Sequence, residues 1–138
     1  MKQNTHRLRI ETRGPGFTDV TEDIRRFVSG AKIQTGLLTI FIPHTSASLL
    51  IQENADPDVL RDLADAYARL APQSQHYRHQ TEGPDDMPAH VRAALSQVSL
   101  SIPVERGAPM LGVWQAIYLF EHRDNPHRRE LVLHILGE

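Results

Sequence analysis

Apolar and polar residues alternate through "THRLRIET", where Leu8 and Ile10 oppose Arg7, Arg9 and Glu11. A period of two predicts a strand with one wet face. "RGPG" at 13–16 breaks the run. Beyond it the period changes, and Val20, Ile24, Phe27, Val28 and Ala31 recur at helical spacing. Asp19 with Glu22 three residues on resembles a capping box, and Gly30 suits a helix end. The expectation is an amphipathic helix covering a sheet.

"GLLTIFIPHTSASLLIQEN" predicts two strand segments, Leu37–Ile42 and Ser46–Glu53, with a bend at Pro43, which has no N–H for a central ladder. Asp56 then stands as an N-cap, with Pro57 at the first helical position. Val59, Leu63, Tyr67 and Leu70 share one face of the helix that follows. "QSQHYRHQTEGPDD", 73–86, has no period and reads as a loop. A loop this long in a small domain is more often functional than decorative. "MPAHVRAALSQ" is a short helix with Val91, Ala94, Leu95 and Val98 facing inward.

Three strands finish the chain: "VSLSIPV", "PMLGVWQAIYLFEH" and "RELVLHILGE", the last two joined by the turn "RDNPH". Both faces of the middle one are largely apolar, which predicts a central strand. Gln115, between Val113 and Ile117, is then a buried amide in need of a partner, because an unsatisfied one costs about 1–3 kcal/mol. Glu121, near the strand end, is more easily solvated. The order of elements predicts one α+β domain over 1–138, with helices packed against a largely antiparallel sheet.

Composition narrows the function classes. The 138 residues are 40% hydrophobic and 23% charged, with a formal charge of −2. No basic field or nucleic-acid module fingerprint points to nucleic acid. Cysteine is absent, which removes disulfides, thiolate zinc sites and cysteine nucleophiles together. No apolar run approaches a membrane span or a signal peptide, so the expected location is the cytoplasm. Phosphate-binding and dinucleotide-binding glycine motifs are absent, and no organic cofactor is indicated.

The candidate chemistry lies in eight histidines and a few acids. Asp86 and His90 are at i and i+4, one turn apart on one helix face if Asp86 joins the helix. Asp86 serves equally well as an N-cap. A carboxylate beside an imidazole orients it and fixes its tautomer, which suits a general acid or base, or a metal ligand. "PHTSAS" places His44, Thr45 and Ser46 after a strand, where hydroxyls and free N–H groups can grip phosphate oxygens. Asn54, at the far end of the second strand segment, is an amide free to bind ligand. His44, His79 and His90 with Glu82 or Asp86 make a conceivable metal set, assembled entirely by tertiary structure. We expect a cleft shared by Asp86, His90 and His44.

Taken together, "IPHTSASLLIQENADPDVLRDL", "YRH…EGPDDMPAHVRAAL", "SLSIPV…G" and "LGVWQAIYLFEHRDNPHRRELVLHILGE" resemble the YjbQ-like family, also described as secondary thiamine-phosphate synthase enzymes. The likeness spans residue 8 to the C-terminus and departs at Val113, where the family block has Thr. It implies a homotrimeric α+β domain and a polar cleft drawing on His44, Thr45, Ser46, Asn54 and His79 with the DDMPAH block. It also implies a weak thiamine-phosphate synthase activity, joining a pyrimidine-methyl diphosphate to a thiazole phosphate with release of pyrophosphate. For that chemistry His44, His90 and Asp86 are the catalytic candidates. Thr45, Ser46, Asn54, His79 and Gln115 are the substrate-binding ones, and Mg²⁺ or another divalent metal is held by Asp86, Asp85 or Glu82. The block lacks Lys, so a cation for the leaving group would come from Arg78, Arg128 or Arg129. The alternatives are a metal-dependent hydrolase or transferase acting on another phosphorylated metabolite, and a non-catalytic small-molecule-binding protein.

Overall fold

The computed structural model describes residues Met1–Glu138. In chain order the elements are β1 (Lys2–Glu11), β2 (Gly16–Asp19), α1 (Thr21–Gly30), β3 (Thr35–Phe41), β4 (Ala47–Glu53), α2 (Pro57–Leu70), α3 (Asp86–Leu95), β5 (Ser99–Glu105), β6 (Ala108–Pro109), β7 (Gln115–Glu121) and β8 (Arg128–Gly137). The strands form two sheets, ordered β1-β8-β3-β5-β6 and β2-β7-β4. Every pairing is antiparallel. The α+β reading therefore holds, with two facing sheets where one was expected.

Alternation along the strands explains the two layers. Leu38 and Ile40 of β3, Ile102 and Val104 of β5 and Leu131, Leu133 and Ile135 of β8 meet Leu49 of β4 and Ile117 and Leu119 of β7 in one core. Helix α1 adds Ile24 and Val28. The even positions of β7 point the other way, and Phe120 packs on Tyr67 of α2 with ring centroids 5.2 Å apart. Both faces of β7 are thus covered, and it is the central strand of its sheet. Pro43 does mark a bend, and that bend carries the chain from β3 in one sheet to β4 in the other. Where β3 and β8 pair, Gly36 faces Gly137. A Cβ on Gly36 would lie 2.3 Å from the Leu136 carbonyl oxygen, so the approach admits no side chain.

Several local expectations are corrected. Gly16–Asp19 is a strand, paired with β7, and α1 begins after it. Asp19 still acts near the start, accepting from the Thr21 N–H at 2.9 Å. Asp56 caps α2 as expected, accepting from the Asp58 N–H at 2.9 Å. Helix α3 turns a different face inward: Asp86, Pro88, Ala89 and Ala93 are buried, while Leu95 and Val98 are exposed. Residues 110–114 are not strand, and Gln115 is exposed at the start of β7. Its Oε1 accepts from the Gly112 N–H at 2.7 Å, so the amide closes a turn. Glu121, expected to be solvated, is 1% exposed.

Candidate functional site

Helix α3 starts at an acidic pair that does no capping through its side chains. Asp85 occupies the N-cap position without a side-chain cap bond. Its Oδ2 instead accepts from Arg123 Nε at 2.8 Å and from the Asp124 N–H at 2.9 Å. Asp86 is the first helical residue and is buried. Its Oδ1 accepts from Arg123 Nη1 at 2.8 Å, leaving Oδ2 to face two imidazoles. His79 Nε2 is 2.7 Å from Oδ2, and His90 Nε2 is 3.2 Å from it. The expected i, i+4 pairing is realised, and the loop brings His79 to the same oxygen. Burial pushes the Asp86 carboxyl up, but the His79 hydrogen bond and the His90 and Arg123 charges outweigh it and hold it below the usual range.

The other nitrogen of His90 is also fixed. Nδ1 lies 3.0 Å from the Thr45 carbonyl oxygen, which only accepts, so Nδ1 carries a proton. Nε2 then faces a carboxylate, and two acceptors flank one ring. That arrangement is satisfied by an imidazolium or by a cation at Nε2. One donor atom from each of His79, Asp86 and His90 lies within 4.8 Å of the others.

Of the three residues expected to share a cleft, His44 and His90 do so, while Asp86 is buried behind His90 and is not part of the lining. The cleft measures about 280 Å³ and is lined by His44, Thr45, His90, Ala93, Ala94 and Val98. His44 reaches it from the β3–β4 bend and is not part of the donor cluster. Its Nε2 accepts from the Glu130 N–H at 3.0 Å, which places the ring proton on Nδ1. Burial, then the Arg129 charge, lowers its pKa, in keeping with a neutral ring. On the other side of the triad the 73–84 loop encloses a more polar cavity of about 460 Å³ that His79 also lines.

Other expected site residues lie elsewhere. Glu82 is exposed, and its backbone carbonyl accepts from Arg123 Nη2 at 3.0 Å. Neither Glu82 nor His44 joins the three-residue donor set. Ser46 is buried, and its hydroxyl accepts from Arg129 Nη2 at 2.9 Å, so it lies beneath the surface of the bend and not at it. Asn54 and Gln115 are exposed at the opposite end of the β4–β7 ladder, since Glu53 pairs with Gln115 and Ala47 with Glu121. Six steps of strand put them roughly 20 Å from the bend. Arg128 is exposed beside Glu11, and Arg129 is buried against Glu121. The cation that matters is Arg123, which sequence reasoning passed over. Its signal was the Asp85–Asp86 doublet, two adjacent buried charges that require a counter-charge.

A family model described as UPF0047 protein YjbQ-like matches residues 6–138. The chain belongs to this family. It is 49% identical over 138 residues to a UPF0047 protein of Synechocystis sp., covering 99% of this chain and 94% of that one. It is 40% identical to the UPF0047 protein YjbQ of Salmonella typhimurium, covering 89% of this chain and 90% of the relative. Among solved structures, a YjbQ/UPF0047 family protein of Clostridium acetobutylicum superposes with a TM-score of 0.88 at 34% identity, over 95% of this chain and 99% of that one. A conserved protein of Thermus thermophilus gives 0.84 at 37% identity, over the same shares of the two chains. The resemblance carried by the PHTSAS and DDMPAH blocks is thus a family relationship, and the fold is that of the YjbQ-like structures. No helix is long and apolar enough to cross a membrane.

Proposed function

We propose that this YjbQ-like chain is a cytoplasmic, metal-dependent enzyme acting on a small phosphorylated metabolite, with weak thiamine-phosphate synthase activity as the specific reaction to assay. The observation that carries the reading is the convergence of His79 Nε2, His90 Nε2 and Asp86 Oδ2 within 4.8 Å. Two imidazoles and one carboxylate suit zinc, manganese or iron better than Mg²⁺, which favours oxygen ligands and retained water. The second oxygen of Asp86 and the second nitrogen of His90 are both engaged, as the outer partners of ligands are. His79, Asp86 and His90 are therefore the residues that would hold a divalent metal. Such an ion supplies Lewis-acid stabilisation of phosphoryl charge.

The chain's own groups account for the rest. His44 lies across the cleft as a neutral ring with its proton on Nδ1, a hydrogen-bond donor for the charge that develops on a leaving-group oxygen. Ala93, Ala94 and Val98 give the cleft an apolar wall against which a ring can lie. All three nitrogens of Arg123 are engaged, by Asp85, Asp86 and the Glu82 carbonyl, so its role is to orient Asp86. Exposed Met110, Val113 and Trp114 support self-association, for which a homotrimer is the proposed state. The deciding experiment incubates purified protein with a pyrimidine-methyl diphosphate and a thiazole phosphate, with and without Zn²⁺, Mn²⁺ or Mg²⁺. Thiamine phosphate formed in a metal-dependent way and lost in Asp86→Ala supports the reading. Product that persists after chelation and in Asp86→Ala rejects it.

A further inference from the structure

We propose that Glu121 is the positioning residue for the His79–Asp86–His90 triad, holding both of its supports from one buried carboxylate. The proposal rests on the reading of the triad as a metal centre.

Two residues orient the triad from outside. Arg123 holds Asp86, and the Thr45 carbonyl holds His90. They come from different parts of the chain, one just past β7 and one in the β3–β4 bend. Glu121 connects them. Its Oε2 accepts from the N–H of Arg123 at 3.2 Å and of His122 at 3.1 Å, which fixes the backbone from which the Arg123 side chain departs. Both of its oxygens also bind Arg129, Oε1 accepting from Nε at 2.8 Å and Oε2 from Nη2. Arg129 Nη2 in turn donates to the carbonyl and hydroxyl of Ser46, at 3.2 and 2.9 Å. That pins the residue next to Thr45. Thr12 Oγ1 donates to Oε1 at 2.7 Å and completes the shell.

The energetics favour a role beyond stability. Glu121 is 1% exposed and Arg129 5% exposed. A buried ion pair replaced by apolar groups of similar volume is often neutral or stabilising, so stability alone is a weak reason to keep one. Here the pair lies between two arms that end on two members of one cluster. Every group facing either oxygen is a donor, so an amide at this position must turn its NH₂ against donors. Glu121→Gln keeps the shape and breaks the geometry.

The test is Zn²⁺ titration of the full chain, wild type against Glu121→Gln, with folding verified by circular dichroism. Affinity falls about ten- to a hundredfold in the variant, as is usual when the outer partners of metal ligands are lost. A core control, Val28→Ala, loses melting temperature but keeps wild-type affinity, which separates positioning from general destabilisation. NMR of the metal-free protein supplies a second readout. The wild type shows a protected Arg123 Nε–H and an Nδ1-protonated His90, and both signatures are averaged in Glu121→Gln. If the wild type takes up no Zn²⁺, the metal reading fails while these signals still decide the role of Glu121. A folded Glu121→Gln with wild-type affinity and unmoved signals overturns the proposal. If that variant does not fold, Thr12→Val removes one donor to the carboxylate and gives a smaller loss of affinity; unchanged affinity there also overturns it.

Discussion

Asp86 and His90 sit one helical turn apart, with Oδ2 of the acid 3.2 Å from Nε2 of the imidazole. A surface pair at this spacing is worth a few tenths of a kcal/mol. This one differs because Asp86 is 2% exposed and its other oxygen is tied to Arg123. Asp86→Asn should cost about 2 kcal/mol of stability, since it takes the charge from a buried hydrogen-bonded acceptor. It should also abolish high-affinity Zn²⁺ binding. Urea unfolding and metal titration read the two effects, and a variant that loses neither contradicts the site.

His44 separates chemistry from metal holding. It shares the cleft with His90 but is absent from the donor cluster. His44→Ala should leave the bound-metal stoichiometry unchanged and lower turnover by about a hundredfold or more, the usual scale for removing one donor to developing oxyanion charge. Elemental analysis beside a thiamine-phosphate assay makes the comparison. Loss of metal in this variant would move His44 into the ligand set.

The corrected positions give the converse test. Asn54→Ala and Gln115→Ala sit at the end of the β4–β7 ladder remote from the bend. Each should leave Zn²⁺ affinity within twofold of wild type. Gln115→Ala should still loosen the turn at Gly112, whose N–H loses its acceptor. Amide exchange at Gly112 should quicken, with a stability loss of about 1 kcal/mol.

Local patterning made much of this fold legible. Alternation marks β1, the missing N–H of Pro43 marks the β3–β4 bend, and capping chemistry marks the Asp56–Pro57 start of α2. The site was half legible: i, i+4 spacing gave Asp86 with His90, and loop length drew attention to the segment holding His79. What one strand cannot reveal is its partner. Gln115 looked like a buried amide because its neighbours at i−2 and i+2 are apolar, yet the strand begins at Gln115 and Val113 is exposed. Glu121 looked like a solvated strand end, because nothing local shows that β8 brings Arg129 onto it. Arg123 follows the strand in a turn sequence, and its hold on Asp85 and Asp86 crosses 37 to 38 residues.

Acid should unfold this protein earlier than its carboxylates alone would dictate. His122, just past the end of β7, is 1% exposed, its Nε2 2.9 Å from Ser48 Oγ. Desolvation, then the Arg92 charge, lowers its pKa from 6.5 to about 3. The unfolded chain protonates this ring below about pH 6.5 and the folded one does not until about pH 3, so the unfolded state binds the extra proton and stability falls as pH drops across that window. At pH 5 the loss from this one group is about 2 kcal/mol. Asp85, Asp86 and Glu121, whose pKa values are lowered in the fold, add to the loss only further down, as pH falls through the carboxylate range. Urea unfolding at pH 7.5, 6 and 5 should show the decline begin near 6.5. His122→Gln, less stable at pH 7.5, should show a shallower decline between 7.5 and 5, the remainder coming from His44, whose pKa the fold also lowers. A wild-type profile that stays flat down to pH 5 would mean that the buried ring takes up its proton without unfolding the chain.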